Sequence, residues 1–422
     1  MRKGHTLDSV IEYIIAMLAI LDCNSVYTKL IGSKFTTFSP YIAMSLALLL
    51  VLKLNKTSVT VASLYRMIVF VLIYYLGIVF IYVNNASTSP SPLGFVAKYI
   101  LAVPFLILIF WLDRDSAYSI FNKYTNCMFV IAIISLFCWL FFSQLRVSSP
   151  TTYFYVNWGK PYRYPVYWYI YVERQVEVFF GHRIIRNIGF FTEAPMYSAC
   201  LTIAMILELF VGNKSKVKTY VFFLTIVTTF ATTGLLLGIV IYIMNFILLR
   251  ADTRNQFWVK LLFGTTIMVV GGVAFSAIFI QKATSTVSWS GRLLSISEGY
   301  KVMKDNPLFG CGYKSFKAYL KYMPAYRVRA NMGVGGSASG IGSLMGQCGL
   351  LLTGFYINSF IIYILSSRKG KYLKDIFLAV TMLAMLFFAV IQYSLIMLII
   401  ISFFYVSFIC RQSKKGYQCE VE

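Results

Sequence analysis

Two polar stretches hold most of the residues able to do chemistry. Residues 144–191 carry Arg146, Lys160, Arg163, Arg174, Arg183 and Arg186, with His182, against Glu173 and Glu177. Residues 281–340 carry Lys282, Arg292, Lys301, Lys304, Lys314, Lys317, Lys321, Arg327 and Arg329 against Glu298 and Asp305. Cations at that density suit a multiply charged anion, because arginine's planar fork meets phosphate oxygens two at a time. They equally suit anionic lipid headgroups, which attract each basic residue near the surface by about 1 kcal/mol. Candidates for a base are few. His182 is the one histidine outside the N-terminal tail, and an unperturbed imidazole titrates near neutrality. Glu193 stands where the chain enters an apolar run, and partial burial there favours the neutral form of a carboxyl group. Each has an ordinary alternative: a loop residue for His182, a cap or an arginine-orienting group for Glu193.

The elements that must position these residues are membrane spans. Of 422 residues 59% are hydrophobic and 13% charged, with a mean hydropathy of +0.73, which excludes a soluble chain. Apolar runs of about 17–24 residues recur, the length that crosses a hydrocarbon core as helix. They are continuous rather than alternating, so the fold class is all-α and polytopic, not a barrel. Glu12 and Asp22 interrupt the first run and no small-residue cleavage site follows, so it reads as a retained span. Twelve spans are expected, near 10–30, 39–53, 64–83, 93–112, 123–143, 192–211, 217–231, 234–250, 257–280, 341–365, 374–390 and 393–410, in a single transmembrane domain over 1–422. Basic residues crowd one set of short connections, among them Lys53, Lys56, Lys214, Lys216, Lys218, Arg368, Lys369, Arg411 and Lys414. The alternate set, such as "NNASTSPSP" at 84–92, is nearly uncharged. By the positive-inside bias both termini are cytoplasmic, and the two long loops, 144–191 and 281–340, lie on the outer face.

Other motifs carry less. The eight cysteines are scattered without a CxxC pair, so neither a disulfide framework nor a metal site is expected. "WLDRDS" at 111–116 has the Asp-x-Asp spacing of a metal and sugar-nucleotide site, but the charge bias makes it cytoplasmic, and a charged helix end is the better reading. Glu208 reads as interfacial. In the second loop Leu293, Ile296, Tyr300 and Met303 mark one apolar helical face, with Ser290 as N-cap and "DNP" at 305–307 as the stop. Gly310 and Gly312 permit a close backbone approach to a ligand, or simply a turn. A second short helix carrying Lys317 and Lys321 ends at Pro324. The rings of "TTYFYVNWGKPYRYPVYWYIYVERQ" in the first loop stack on sugars or form an interfacial belt.

The run "SGRLLSISEGYKVMKDNPLFGCGYKSF" (290–316) resembles a segment of bacterial O-antigen polymerases and ligases: Ser-Gly-Arg, a short helix, then Asn-Pro-Leu-x-Gly-x-Gly and an aromatic. "RNIGFFTEAPMYSACL" (186–201) is similar to that family's Arg-x-x-Gly-x-Phe-x-Glu-Pro element, here with Ala194 between Glu193 and Pro195. "SLMGQCGLLLTGFYI" (343–357) resembles the family's re-entry into the membrane. The resemblance covers roughly residues 180–360; the N-terminal spans add hydropathy alone.

The resemblance implies a metal-independent, cofactor-free glycosyltransferase of the bacterial plasma membrane. Its donor would be an oligosaccharide on undecaprenyl pyrophosphate, and its partners membrane lipids, a chain-length regulator and a flippase, with no nucleic acid. Arg186 and Arg292 are then the leading groups for the departing diphosphate, with Glu193 or His182 as base. Arg183, Arg327, Arg329, Lys314, Tyr313, Gly310 and Gly312 would bind substrate. The family's ligases carry a histidine in the second long loop, where this chain has "GVGGSASG" (333–340) and no histidine in 281–340. That departure points to a polymerase over a ligase. A flippase, the rival from another class, should show repeats, interrupted helices and charges at mid-membrane.

Overall fold

Long apolar segments without water must satisfy their own backbone groups, and the chain is mostly helical. The computed structural model describes residues 3–30, 38–54, 61–85, 87–158, 160–179, 182–212, 214–250, 288–330, 336–367 and 372–417. The helices, in order, are α1 (Lys3–Leu21), α2 (Val26–Leu30), α3 (Phe38–Leu54), α4 (Val61–Asn85), α5 (Pro92–Leu112) and α6 (Arg114–Gln144). There follow α7 (Ala194–Phe210), α8 (Lys216–Thr228), α9 (Thr232–Arg250), α10 (Ser288–Asp305), α11 (Ala325–Ala330), α12 (Gly340–Leu365), α13 (Tyr372–Phe388) and α14 (Leu395–Tyr417). Four of them are long and apolar enough to cross a membrane: Leu64–Asn85, Pro92–Leu112, Arg114–Gln144 and Gly340–Leu365. The outward flank of α4, with Tyr65, Ile73 and Leu76 all exposed, suits lipid rather than water. Helices occupy every expected span within the described residues, and the one at 257–280 lies outside them. The first departs from expectation. It divides at residues 22–25, where Asn24 takes a left-handed φ of 53° and Asp22 turns to Lys98 and to the amide of Leu395.

The connections gather at two ends. At one, the Val26 amide meets Phe190 O at 2.9 Å, Asn85 Nδ2 meets Phe309 O at 2.7 Å and Ser89 Oγ meets Tyr313 O at 2.9 Å. At the other, Asp8, Glu12, Lys53, Asp113 and Lys123 form a buried ion network. The "WLDRDS" motif lies there as a cap: Asp113 precedes α6 and accepts from the Asp115 amide at 3.0 Å and Ser116 Oγ at 2.9 Å. Glu208 is near the end of α7. It is fully buried, paired with Lys218 at 3.2 Å and with the Ser215 amide at 2.9 Å.

The all-α expectation fails in the first long loop. Residues 152–185 form β1 (Thr152–Trp158), β2 (Lys160–Tyr167) and β3 (Tyr171–Val172) in one antiparallel sheet, then a hairpin of β4 (Val176–Phe179) and β5 (His182–Ile185). The reason is a period of two. Phe154, Tyr164 and Val166 face in on Val26, Ile188 and Ala194, while Tyr153, Tyr155 and Arg163 face out. A chain of tyrosine and β-branched residues prefers that pleated surface to a helix.

In the second loop the helix is where expected, but its buried face is not. Leu293 and Tyr300 are exposed, and the face turned inward is Arg292, Ser295, Glu298, Gly299 and Val302. Glycine explains the reversal. A Cβ on Gly299 would lie 2.0 Å from Gly342 O, and one on Gly342 would lie 2.5 Å from Ser295 O. Small residues let α10 and α12 touch backbone to backbone, so the small and polar side is the packed one. Ser290 falls inside the first turn of a helix that starts at Ser288, not at its cap.

Helix α12 is itself broken at Gly349, whose φ of 64° and ψ of −163° are not helical. The segment 307–312 fills the break. The amides of Cys311 and Gly312 donate to the carbonyls of Gly346 and Gln347 at 2.9 and 3.0 Å, and the Leu350 amide donates to Pro307 O at 2.8 Å. Carbonyls and amides orphaned by the break are thereby satisfied inside the protein.

Candidate functional site

The site is built around the strand end at Ile185, whose carbonyl accepts from Trp139 Nε1 at 2.6 Å and Gln144 Nε2 at 3.0 Å. Both donors lie in the π turns that end α6, where one extra residue per turn reorients side chains. Arg186 follows directly. Its amide donates to Gln175 O at 2.8 Å, its Nε donates to Thr229 O at 2.8 Å, and its Nη1 lies 3.6 Å from Glu177 Oε2. Thr229 caps the C-terminus of α8, where free carbonyls favour a cation. Asn187 clamps the next peptide. It is fully buried, donating from Nδ2 to Thr228 Oγ1 at 3.1 Å and Ser135 Oγ at 3.3 Å. Gly189 then turns with a φ of 56° over the ring of Tyr197.

Glu193 is the N-cap residue of α7 in extended conformation, but its side chain does not cap. Gln175 Oε1 accepts from the Ala194 amide at 2.9 Å instead. The Glu193 carboxylate acts electrostatically on both Arg186 and Arg292. Three of the four expected catalytic residues, from segments about a hundred residues apart in sequence, thus form one cluster. His182, the fourth, pairs its backbone with Phe179 in the β4–β5 hairpin, two positions before Ile184.

Arg292 is the unusual member. It is 8% exposed, and among the described residues it forms no hydrogen bond or ion pair. Burial pushes its guanidinium below the usual range, and Glu193 opposes that shift. Arg186 is lowered by burial too, opposed by Glu177 and then Glu193.

The expected substrate-binding residues do not join this cluster. Arg327 is buried but neutralised, with Nη1 at 2.7 and 2.8 Å from the two Glu298 oxygens. Ser295 Oγ, which accepts from Arg327 Nη2 at 3.3 Å, also accepts from the Ala338 amide at 3.0 Å. Arg183 and Arg329 are exposed. Lys314 is exposed with a φ of 60°, its Nζ 5.5 Å from the Tyr313 ring centre. Gly310 and Gly312 make close approaches to protein, not to an open site. A Cβ on Gly310 would lie 2.5 Å from the carbonyl carbon of Gln347, and one on Gly312 2.6 Å from Thr88 Oγ1. Tyr313 is fully buried against Phe95, Tyr99 and Tyr393. Ser339 caps α12, accepting from the Gly342 amide, and Ser337 Oγ donates to Ser339 O.

Sequence reasoning missed Gln175, Glu177, Asn187 and Thr229. Glu177 was counted as a loop charge, although a carboxylate beside so many cations needs a partner. Asn187 left a fainter signal, an amide between Arg186 and a glycine turn. Comparisons of the chain with protein-family models, curated proteins and solved structures find no match.

Proposed function

We propose that this chain is a glycosyltransferase of the bacterial plasma membrane, a polymerase of a surface polysaccharide such as an O-antigen, capsule or exopolysaccharide. It moves a glycan from undecaprenyl pyrophosphate onto the next lipid-linked repeat, working at the outer face. On this reading twelve helices cross the bilayer, both termini are cytoplasmic, and the end carrying Arg186, Arg292 and Glu193 faces outward. The observation that carries the reading is Arg292, 8% exposed and without a hydrogen bond among the described residues, under the electrostatic influence of the same Glu193 that acts on Arg186. A diphosphate supplies the acceptors that Arg292 lacks among the described residues.

The chemistry follows from those positions. As the bond between the anomeric carbon and the pyrophosphate oxygen breaks, its electron pair stays on the diphosphate. Arg292 and Arg186 stabilise that charge in place, without proton transfer. The acceptor hydroxyl attacks the anomeric carbon and its proton passes to the Glu193 carboxylate, with His182 as the other candidate base. The new glycosidic bond and the free lipid diphosphate complete the exchange.

One observation favours the rival reading as a flippase. Helix α12 is interrupted, as transporter helices are. Its break is filled by the backbone of residues 307–312, so polymerisation remains the better account.

Deleting the gene and profiling surface glycan tests the choice. Single repeats left on the carrier or its acceptor indicate a lost polymerase, unattached long chains a lost ligase, and cytoplasm-facing precursors a lost flippase. Arg292→Ala and Arg186→Ala at normal expression should mimic the deletion, and full-length polymer from both overturns the site. Labelling Lys160→Cys and Lys314→Cys from outside, but not Lys216→Cys or Lys369→Cys, tests the orientation.

A further inference from the structure

The sharp turn between β2 and β3 is built from the wrong residues for a turn. The Ile170 amide donates to Tyr167 O at 3.1 Å, and both residues between them are left-handed: Trp168 with φ 52° and Tyr169 with φ 59°. Hairpins that need two such residues ordinarily use Asn-Gly, because a Cβ meets the neighbouring carbonyl there. Two bulky aromatic residues in succession are a strained choice. Strain of this kind persists where the side chains serve something beyond the turn.

What they serve is not the protein's own core. Trp168 is 63% exposed, Tyr169 60% and Ile170 48%. The residues on either side are instead fully buried and tie the turn down. Tyr167 stacks on Phe142 at 4.8 Å with ring planes 3° apart, and the Tyr171 hydroxyl bonds Ser143 Oγ at 2.7 Å. Tyr27 adds a hydrogen bond to Tyr169 O. Phe142 and Ser143 belong to the last turns of α6, one of the four helices long and apolar enough to cross a membrane. The flank of α6 at this end is itself apolar and exposed at Phe137 and Leu140, and so are Leu145 and Val147 just past its last residue. The turn therefore prolongs a lipid-facing helix surface just where that helix ends.

We infer that Trp168, Tyr169 and Ile170 form a membrane anchor that seats the β layer in the boundary between lipid headgroups and acyl chains. Indole and phenol rings favour that depth, with an apolar body and a polar edge, and Ile170 adds a purely apolar contact. Rigid mounting through Tyr167 and Tyr171 fixes the depth. β3 is tied to the segment that follows Arg186 by the Val172 amide, which donates to Gly189 O at 2.9 Å, so the anchor sets the height of that segment above the bilayer. The inference rests on the turn and α6, and stands whichever reaction the chain performs.

Trp168 reports the outcome directly. Full-length protein and Trp168→Phe are reconstituted into vesicles of equal parts phosphatidylcholine and phosphatidylglycerol, with or without bromine at shallow acyl positions. The difference in their emission isolates Trp168 from the other tryptophans among the six. That difference should fall at least two-fold in brominated vesicles and resist aqueous iodide. Quenching by iodide without quenching by bromine overturns the anchor, and so does insensitivity to both. Replacing the pair by turn-favouring residues, Trp168→Asn with Tyr169→Gly, separates anchoring from folding. The Tm in detergent should hold or rise by roughly 2 °C as the backbone strain is relieved. A marked fall in Tm would mean the rings serve the fold, and would also overturn the proposal.

Discussion

The two ends of this molecule treat buried charge in opposite ways. At the end with Asp8, Glu12, Lys53, Asp113 and Lys123, each lysine sits among carboxylates, Lys53 at 2.7 Å from Asp113 and 3.5 Å from Asp8. Ser119 Oγ completes the set by donating to Glu12 at 2.6 Å. At the other end Arg292 is buried as deeply and forms no such bond among the described residues. Arg327 of α11, paired with Glu298 nearly two turns along α10 from Arg292, shows that a guanidinium of this loop can also be satisfied within the protein. The contrast separates charges that close a fold from the charge that the proposed function assigns to a ligand.

Breaking that contrast at Arg292 should have the largest effect. On the proposed function, Arg292→Ala should lower polymer synthesis by about a hundred- to a thousand-fold, the scale of losing one preorganised donor to a developing anion. Its Tm should hold, because Arg292 forms no hydrogen bond among the described residues and its burial carries a desolvation penalty. At the saturated end the pattern reverses. Lys123→Ala should cost about 3 kcal/mol by leaving Glu12 without a major partner, read as a lower Tm, while activity per folded molecule is unchanged.

Gly299→Ala sharpens the positional side of the comparison. Its Cβ would lie 2.0 Å from a backbone oxygen that cannot swing away, so α10 must part from α12 and carry Arg292 with it. About 3 kcal/mol of stability should go, together with activity. Arg327→Met should cost about 3 kcal/mol, and adding Glu298→Leu should return most of it, because an apolar pair replaces a buried ion pair nearly without penalty. The smallest effect is the most discriminating. Nothing lies within 4 Å of a Cβ built on Gly291, so Gly291→Ala should stabilise the helix by about 0.5–1 kcal/mol. If a ligand shares that space beside Arg292, activity falls even as the Tm rises.

Much of the architecture was legible because hydrophobic runs report helices regardless of their neighbours. The helix stop at "DNP" and the charged helix end at "WLDRDS" were both visible in local pattern. The β layer was not, because alternation of tyrosines resembles an interfacial belt as closely as it does a strand. The buried face of α10 was misread for a different reason. Apolar spacing assumes that the partner presents a hydrophobic groove, whereas Gly342 presents bare backbone and selects Ser295 and Gly299.

Residue type and order alone determined that this chain is helical and apolar, and which cations its polar stretches hold. Tertiary structure decided which of those cations are spent on the fold. Arg327 and Arg292 are both arginines of one loop, and nothing local distinguishes them. Their difference arises because Glu298 faces Arg327 across a packed interface, while Glu193, from another segment, comes near Arg292 and Arg186 together. Charge is a property of a residue, but its neutralisation is a property of distance, and distance between remote segments exists only in the folded chain.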